Sequence, residues 1–215
     1  MRDRFQHLLP WLFLLVFALS RWPGLMPANF SAAYAVMFCA GVFLRTATTS
    51  TAAFATLLLT DLGLNLYYQF GKGYEVFTPG GFLYLATNYL GYALLFLGGR
   101  RFQPGSRFLS LLLGGVLGAL VFYIVTNTAS WFINPFRNPE YSRTFASWFN
   151  ALTRGVGGFP ETWTFLRNTL LSSGLFTALF AAAWKFTAAE SPADKGEERP
   201  ESAPSGEPQS EEAPA

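Results

Sequence analysis

Apolar residues along this chain fall into six long runs, separated by short segments rich in polar residues, glycine and proline. A helix that crosses a bilayer needs about 20 residues, with about 17 as the usual lower limit, and these runs approach or reach that length. The runs show no period-two alternation, which would indicate a barrel. The pattern predicts an all-α integral membrane protein, a bundle of six transmembrane helices. The predicted spans are 5–20, 29–44, 50–68, 82–97, 108–126 and 163–186.

The first run has an alternative interpretation. Its basic start, its apolar centre and the segment Ala18-Leu19-Ser20 are also typical of a cleaved signal peptide. The next residues, Arg21-Trp22-Pro23, are more typical of an interfacial turn, so we interpret the run as a retained helix.

The connection 127–162 is unusually aromatic and contains a helical pattern of its own. Phe145, Trp148, Phe149 and Leu152 recur at the spacing of one helix face. The pattern predicts a short amphipathic helix, which would either rest on the membrane surface or cover the mouth of the bundle as a lid.

Composition separates the chain into two parts. Hydrophobic residues make up 51% of the 215 residues and charged residues only 13%, whereas a soluble domain is about a quarter charged. Of the 13 acidic residues, eight lie in segment 188–215 beside only two basic ones, so this segment is strongly acidic. Its Glu, Pro, Ser and Ala residues favour disorder. We therefore predict a transmembrane domain, 1–187, and a disordered acidic tail, 188–215.

The sequence lacks the usual signals of catalysis. There is one cysteine, Cys39, and one histidine, His7, which excludes an intrachain disulfide and a Cys/His metal site of ordinary spacing. Walker A, dinucleotide-binding and nucleophile-elbow motifs do not occur. If the protein were an enzyme acting on lipid, only Asp61 and Arg167 would be candidates for catalytic residues within the membrane. We expect no enzymatic activity, no cofactor and no metal.

Basic residues indicate the orientation. With six spans, both termini share one side, and outside the acidic tail that side holds seven Lys and Arg residues, against five on the other side. Positive residues accumulate on the cytoplasmic side. We expect a multi-pass protein of the bacterial inner (plasma) membrane with both termini in the cytoplasm.

Polar side chains recur at one depth in four predicted helices. Given the alternating direction of the spans, polar residues late in the third and fifth and early in the fourth and sixth all fall in the outer half of the membrane. Charged groups there are costly and tend to be functional. The pattern predicts a substrate pocket open to the outside. Its predicted residues are Asp61, Asn65, Asn88, Tyr92, Asn127, Arg167 and Asn168.

Other interpretations of these residues stay open. Asp61 and Arg167 would pair with each other in one of them, with the Asn and Tyr side chains as hydrogen-bonding contacts between helices. Asp61 would serve as a proton relay in another. Arg167 alone, near a helix start, also resembles an interfacial anchor.

Small residues on the second span form a candidate docking face. Ser31, Ala35 and Cys39 recur every fourth residue, a spacing that allows close approach of another helix. This helix would belong either to a partner subunit or to the chain itself.

Five stretches of the sequence together resemble a known family. They are "RWPGLMPANFSAAYAVMFCAGVFL", "LLLTDLGLNLYY", "TNYLGYALLFLGGR", "VTNTASWF" and "FLRNTLLSSGLFTALF". In this order they resemble an uncharacterised bacterial family of transport proteins, which is similar to the membrane-embedded substrate-binding S components of energy-coupling factor (ECF) transporters. The residues that match the family's motifs are Asn29, Asp61, Asn65, Asn88, Tyr89, Asn127, Trp131, Arg167 and Asn168.

The resemblance implies a function as well as a fold. An ECF S component is a six-helix bundle with both termini in the cytoplasm and a pocket near the outer face. It docks on a transmembrane coupling subunit that carries ATPases. The expected function is therefore substrate binding for uptake of a small molecule, energised by a partner subunit, with no role for nucleic acid. The alternative is an integral membrane scaffold that binds no substrate.

Overall fold

The protein is helical throughout the part of the chain that the structure describes. A computed structural model describes the backbone of residues 2–189 and the side chains of residues 8–187. The first two residues of the predicted tail, 188 and 189, belong to a helix, and the rest of the tail, 190–215, lies outside the described residues. Within them there are seven α-helices and no strands. The helices are α1 (Arg2–Ser20), α2 (Ala33–Phe43), α3 (Ala47–Leu66), α4 (Pro79–Gly99), α5 (Phe108–Ile133), α6 (Phe145–Thr153) and α7 (Thr162–Ala189). A π-helical turn, Tyr67–Gly71, continues α3.

Each of the six predicted runs contains a helix, and the short helix in the long connection is confirmed as α6. Three helices are long and apolar enough to cross a membrane: α4, α5 and the 162–187 part of α7. The apolar parts of α1 and α2 are shorter. Helix α3 is long enough to be compared with these spans, but its threonines, Asp61 and Asn65 make it less apolar than they are.

Helix α2 is the centre of the bundle. All eleven of its residues are buried, and it packs against α1, α3, α4, α5 and α7. A helix that is apolar on every side is suited to such a position. At about 1.5 Å per residue, α2 is roughly half as long as a bilayer core is thick.

Glycine allows α2 and α4 to touch through their backbones. A Cβ atom on Gly41 would overlap the Phe96 carbonyl oxygen, and one on Gly99 would overlap the Phe38 carbonyl oxygen. Small residues at such a crossing bring helix axes close together. This contact holds the two helices at the end of the bundle where α2 and α4 finish.

The helix boundaries are set by local hydrogen bonds. Thr46, Thr78 and Thr144 each precede a helix, and each side-chain oxygen accepts a hydrogen bond from the backbone N–H three residues later. Asn134 ends α5 in the left-handed conformation, with φ of 48°. The helix therefore runs seven residues beyond its predicted end at 126, and it includes Asn127.

Candidate functional site

A buried ion pair lies where α1 ends. Arg21, the first residue after α1, donates a hydrogen bond from Nη2 to Oδ1 of Asp61 on α3. The side chains of Arg21 and Asp61 are only 11% and 10% exposed. The Arg21 guanidinium also lies over the ring of Phe17, 5.9 Å from its centroid. The turn after α1 is thereby tied to α3 through two charges that are almost removed from solvent.

Tyrosines from two further helices surround this pair. Tyr92 on α4 lies beside Arg21, and its ring centroid is 6.3 Å from those of both Tyr34 on α2 and Tyr89 on α4. We call Arg21, Tyr34, Asp61, Tyr89 and Tyr92 the polar cluster. Four segments of the chain therefore bring charged and phenolic groups to one place.

Two buried polar atoms in the polar cluster lack partners among the described residues. They are Nε of Arg21 and the hydroxyl of Tyr89. The Tyr89 hydroxyl lies beside the Asp61 carboxylate, but the geometry does not complete a hydrogen bond between them. Buried polar groups are nearly always hydrogen-bonded to protein, water or ligand. The pair therefore retains hydrogen-bonding capacity that the described residues do not use.

Two of the predicted pocket residues belong to the polar cluster, Asp61 and Tyr92. Asn65 and Asn88 are partly exposed, and their side chains make no hydrogen bond among the described residues. Asn127 donates from Nδ2 to the carbonyl oxygen of Tyr123, 2.8 Å away on its own helix. The amide nitrogen of Asn127 therefore makes a hydrogen bond within α5.

The predicted alternative in which Asp61 pairs with Arg167 is wrong, since Asp61 pairs with Arg21. Helix α1 packs against α3, so the residue after α1 reaches Asp61. Arg167 is exposed, and its guanidinium lies over the ring of Trp163, 5.5 Å from the centroid. This contact fits the interfacial anchor that the sequence left open.

Asn168 has a separate role from its neighbour. Its Nδ2 donates to the carbonyl oxygen of Ala28 at 2.9 Å, which joins α7 to the connection between α1 and α2. Its Oδ1 accepts from Nε of Arg167 at 3.3 Å. Arg167 and Asn168 therefore lie at the same end of the bundle as the polar cluster, but no hydrogen bond or ion pair among the described residues joins them to it.

The candidate docking face on α2 is largely covered by the chain. Ala35 is 0% and Cys39 2% exposed, and both lie in the hydrophobic core. Ser31 is partly buried, and its hydroxyl accepts from the backbone N–H of Ala33. The alternative of packing within the chain accounts for this spacing of small residues.

The long connection is fastened to the same end of the bundle. The Tyr123 hydroxyl on α5 lies 2.6 Å from the carbonyl oxygen of Leu152 and 3.1 Å from that of Thr162. Nε1 of Trp148 donates to Oγ1 of Thr128 at 2.9 Å. These bonds join α6 and the start of α7 to α5, so the connection is a packed part of the fold.

Three members of the polar cluster were not among the predicted pocket residues: Arg21, Tyr34 and Tyr89. Tyr89 matched the family motifs. The signal for Arg21 was its position directly after the first span, which had been interpreted as a turn. Tyr34 had no signal, because a tyrosine within an apolar helix is ordinary.

Comparisons with known proteins give one result. No curated protein matches the chain, and no solved structure matches it. A model described as "Family of unknown function (DUF6580)" matches residues 2–194. Since the match extends over nearly all of the 215 residues, the chain belongs to the DUF6580 family.

Proposed function

We propose that this protein is a multi-pass membrane protein that binds a small molecule for uptake and is energised by a partner subunit. The supporting observation is the buried Arg21–Asp61 pair, beside which Nε of Arg21 and the Tyr89 hydroxyl have no partner among the described residues. Charges inside a membrane protein are costly and are usually associated with a function. Unused hydrogen-bonding groups next to such a pair suit a ligand.

The charge of the polar cluster constrains its ligand. Asp61 neutralises Arg21, so the cluster does not offer an uncompensated cation to a carboxylate. An uncharged acceptor on the ligand, such as a carbonyl oxygen or a ring nitrogen, can accept a hydrogen bond from Nε–H of Arg21. Unlike an anionic group, it would not be repelled by the Asp61 carboxylate. The rings of Tyr34 and Tyr92 provide apolar contact for a planar ligand. Arg167 acts only at the edge of the site, because it is exposed and lies over Trp163.

The membrane placement follows from the distribution of apolar and basic residues. We place all six of α1, α2, α3, α4, α5 and α7 in the bilayer, with α2 enclosed by the others. Outside the acidic tail, the connections at the polar-cluster end carry five Lys and Arg residues, and the opposite end carries seven: Arg2, Arg4, Arg45, Arg100, Arg101, Arg107 and Lys185. This bias puts that end and both termini in the cytoplasm, and the polar cluster toward the outside of the bacterial inner membrane.

The energy for uptake has to come from another subunit. The sequence contains no nucleotide-binding motif, and the resemblance to ECF S components suggests a transmembrane coupling subunit with ATPases. That partner is part of the proposal.

Native mass spectrometry of the protein purified in mild detergent tests ligand binding. We expect a bound small molecule, and we expect Tyr89→Phe to weaken its retention about tenfold, as the loss of one hydrogen bond does. Tyr84→Phe is the matched control, since Tyr84 is exposed on the same helix. Equal retention by both variants would show that the ligand is not held at the polar cluster. A stable complex with another membrane protein and no ligand would favour the scaffold alternative.

A further inference from the structure

Helix α6 exposes its aromatic face. Phe145 is 75% and Phe149 57% exposed, whereas Ser147 and Ala151 are 8% and 1% exposed. The helix therefore packs on α5 and α7 through its small residues. Phe145 packs against Trp148 of its own helix, with ring centroids 5.4 Å apart, and most of the surface of Phe145 and Phe149 stays uncovered.

Hydrogen bonds hold α6 in this rotation. Nε1 of Trp131 donates to the Ser147 hydroxyl at 3.0 Å, and that hydroxyl donates to the carbonyl oxygen of Glu140 at 2.7 Å. The Thr128 hydroxyl binds Trp148. Rotating the phenylalanines inward would break these bonds, so the outward aromatic face is a built feature of the fold.

The surroundings of α6 are typical of a membrane interface. The helix lies in the connection between the end of α5 and the start of α7, two helices long and apolar enough to span a bilayer. Large apolar side chains at these two ends, Phe132, Ile133 and Trp163, are 52%, 41% and 45% exposed. Hydrogen bonds from Tyr123 to Leu152 and from Trp148 to Thr128 join α6 to the last turns of α5, so α6 lies beside the end of an apolar helix.

The charges of the connection are arranged for anionic headgroups. The guanidinium of Arg143, directly before the α6 cap, lies over the ring of Phe132, 4.2 Å from its centroid, and Arg154 follows the helix and is exposed. The two acids of the connection are engaged by N–H groups: Glu140 accepts from Gly157 and Glu161 from Trp163. Exposed aromatic and arginine side chains are a combination that the headgroup region favours.

We propose that α6 lies in the headgroup region of an anionic bilayer, with Phe145 and Phe149 inserted among the lipids, and does not serve as a lid in water. This inference rests on the membrane placement proposed above, but not on uptake or on ligand binding. The proposal is that lipid covers the aromatic face of α6. Contact of this face with water, or with a second protein, would contradict the proposal.

Site-directed spin labelling in nanodiscs of phosphatidylcholine and phosphatidylglycerol tests this placement. In a Cys39→Ala background, single cysteines replace Phe145, Phe149 or the adjacent exposed Ala146. Position 146 points about 100° from 145 and about 60° from 149, so Ala146→Cys samples the flank of the same helix. We expect nitroxides at 145 and 149 to collide more with oxygen, which partitions into lipid, than with a water-soluble nickel chelate. We expect a lower ratio of oxygen to nickel-chelate collisions at 146.

Two other results would overturn the inference. Strong collision with the nickel chelate at all three positions would place α6 in water, and protection of 145 and 149 from both reagents would mean that protein covers the face. Leu117→Cys, on an exposed position of α5, separates the two levels of the proposal. If this label also meets the nickel chelate, the membrane placement itself fails, whereas a lipid-exposed label at 117 confines the failure to α6.

Discussion

Breaking the Arg21–Asp61 pair on one side should destabilise the protein strongly. Both side chains are about nine-tenths buried, so Arg21→Met leaves an unpaired carboxylate and Asp61→Asn leaves an unpaired guanidinium. Removing one partner of a buried pair costs about 3–5 kcal/mol, because the remaining charge is desolvated without compensation. Since Nε of Arg21 already lacks a partner among the described residues, the loss of stability in Asp61→Asn should lie toward the upper end of this range.

The double variant should recover most of this loss. With both charges gone, no unpaired ion remains, and the neutral amide left at position 61 costs far less to bury than a charge. We expect the double variant to lie within about 2 kcal/mol of the wild type, which gives a coupling energy of about 4 kcal/mol or more. Reversible unfolding of the four proteins in mixed micelles, titrated with a denaturing detergent, measures this cycle.

An additive cycle would refute this reasoning. If the loss in the double variant equals the sum of the losses in the single variants, the two side chains do not interact in the folded protein. Arg167→Met is the matched control, because Arg167 is exposed. It should change the free energy of unfolding by no more than about 0.5 kcal/mol.

Two further predictions concern packing and the long connection. Gly99→Ala should cost about 1–3 kcal/mol by forcing α4 away from the Phe38 carbonyl, whereas Gly98→Ala, whose added Cβ meets nothing within 4 Å, should be neutral or slightly stabilising; thermal unfolding of the two variants compares them, and equal losses would contradict the backbone contact. Tyr123→Phe removes the hydroxyl that binds the end of α6 and the start of α7, at a cost of about 1–2 kcal/mol. Limited trypsin digestion should then cut the connection about five- to thirty-fold faster than in the wild type, and an unchanged rate would show that this hydroxyl does not fasten it.

Helix positions were the most predictable part of the fold. Each apolar run contains a helix because the backbone of an apolar segment must satisfy its hydrogen bonds internally. The α6 pattern was also found from spacing alone, and its start agrees with Phe145. The boundaries were less predictable, because they depend on caps such as Asn134, whose left-handed conformation extends α5 past the end of its apolar run.

The site was predictable only in part. Asp61 and Tyr92 were among the predicted pocket residues, and both lie in the polar cluster. The partner of Asp61 was not, since two arginines, Arg21 and Arg167, were available on the same side. Choosing between them requires knowing that α1 packs against α3 and that Arg167 faces outward.

The sequence by itself determined that the chain is rich in apolar helices, where they lie, and that the common catalytic and metal-binding motifs are absent. Only the tertiary structure decided that Arg21 is the partner of Asp61 and that α6 turns its phenylalanines outward. The physical reason is that lipid is as apolar as a protein core. A helix in lipid therefore needs no difference in hydropathy between its buried and exposed faces, as in α5, where Leu111 is buried and Leu113 is exposed. The rotation and neighbours of such a helix are set by packing and by pairing of the few polar groups.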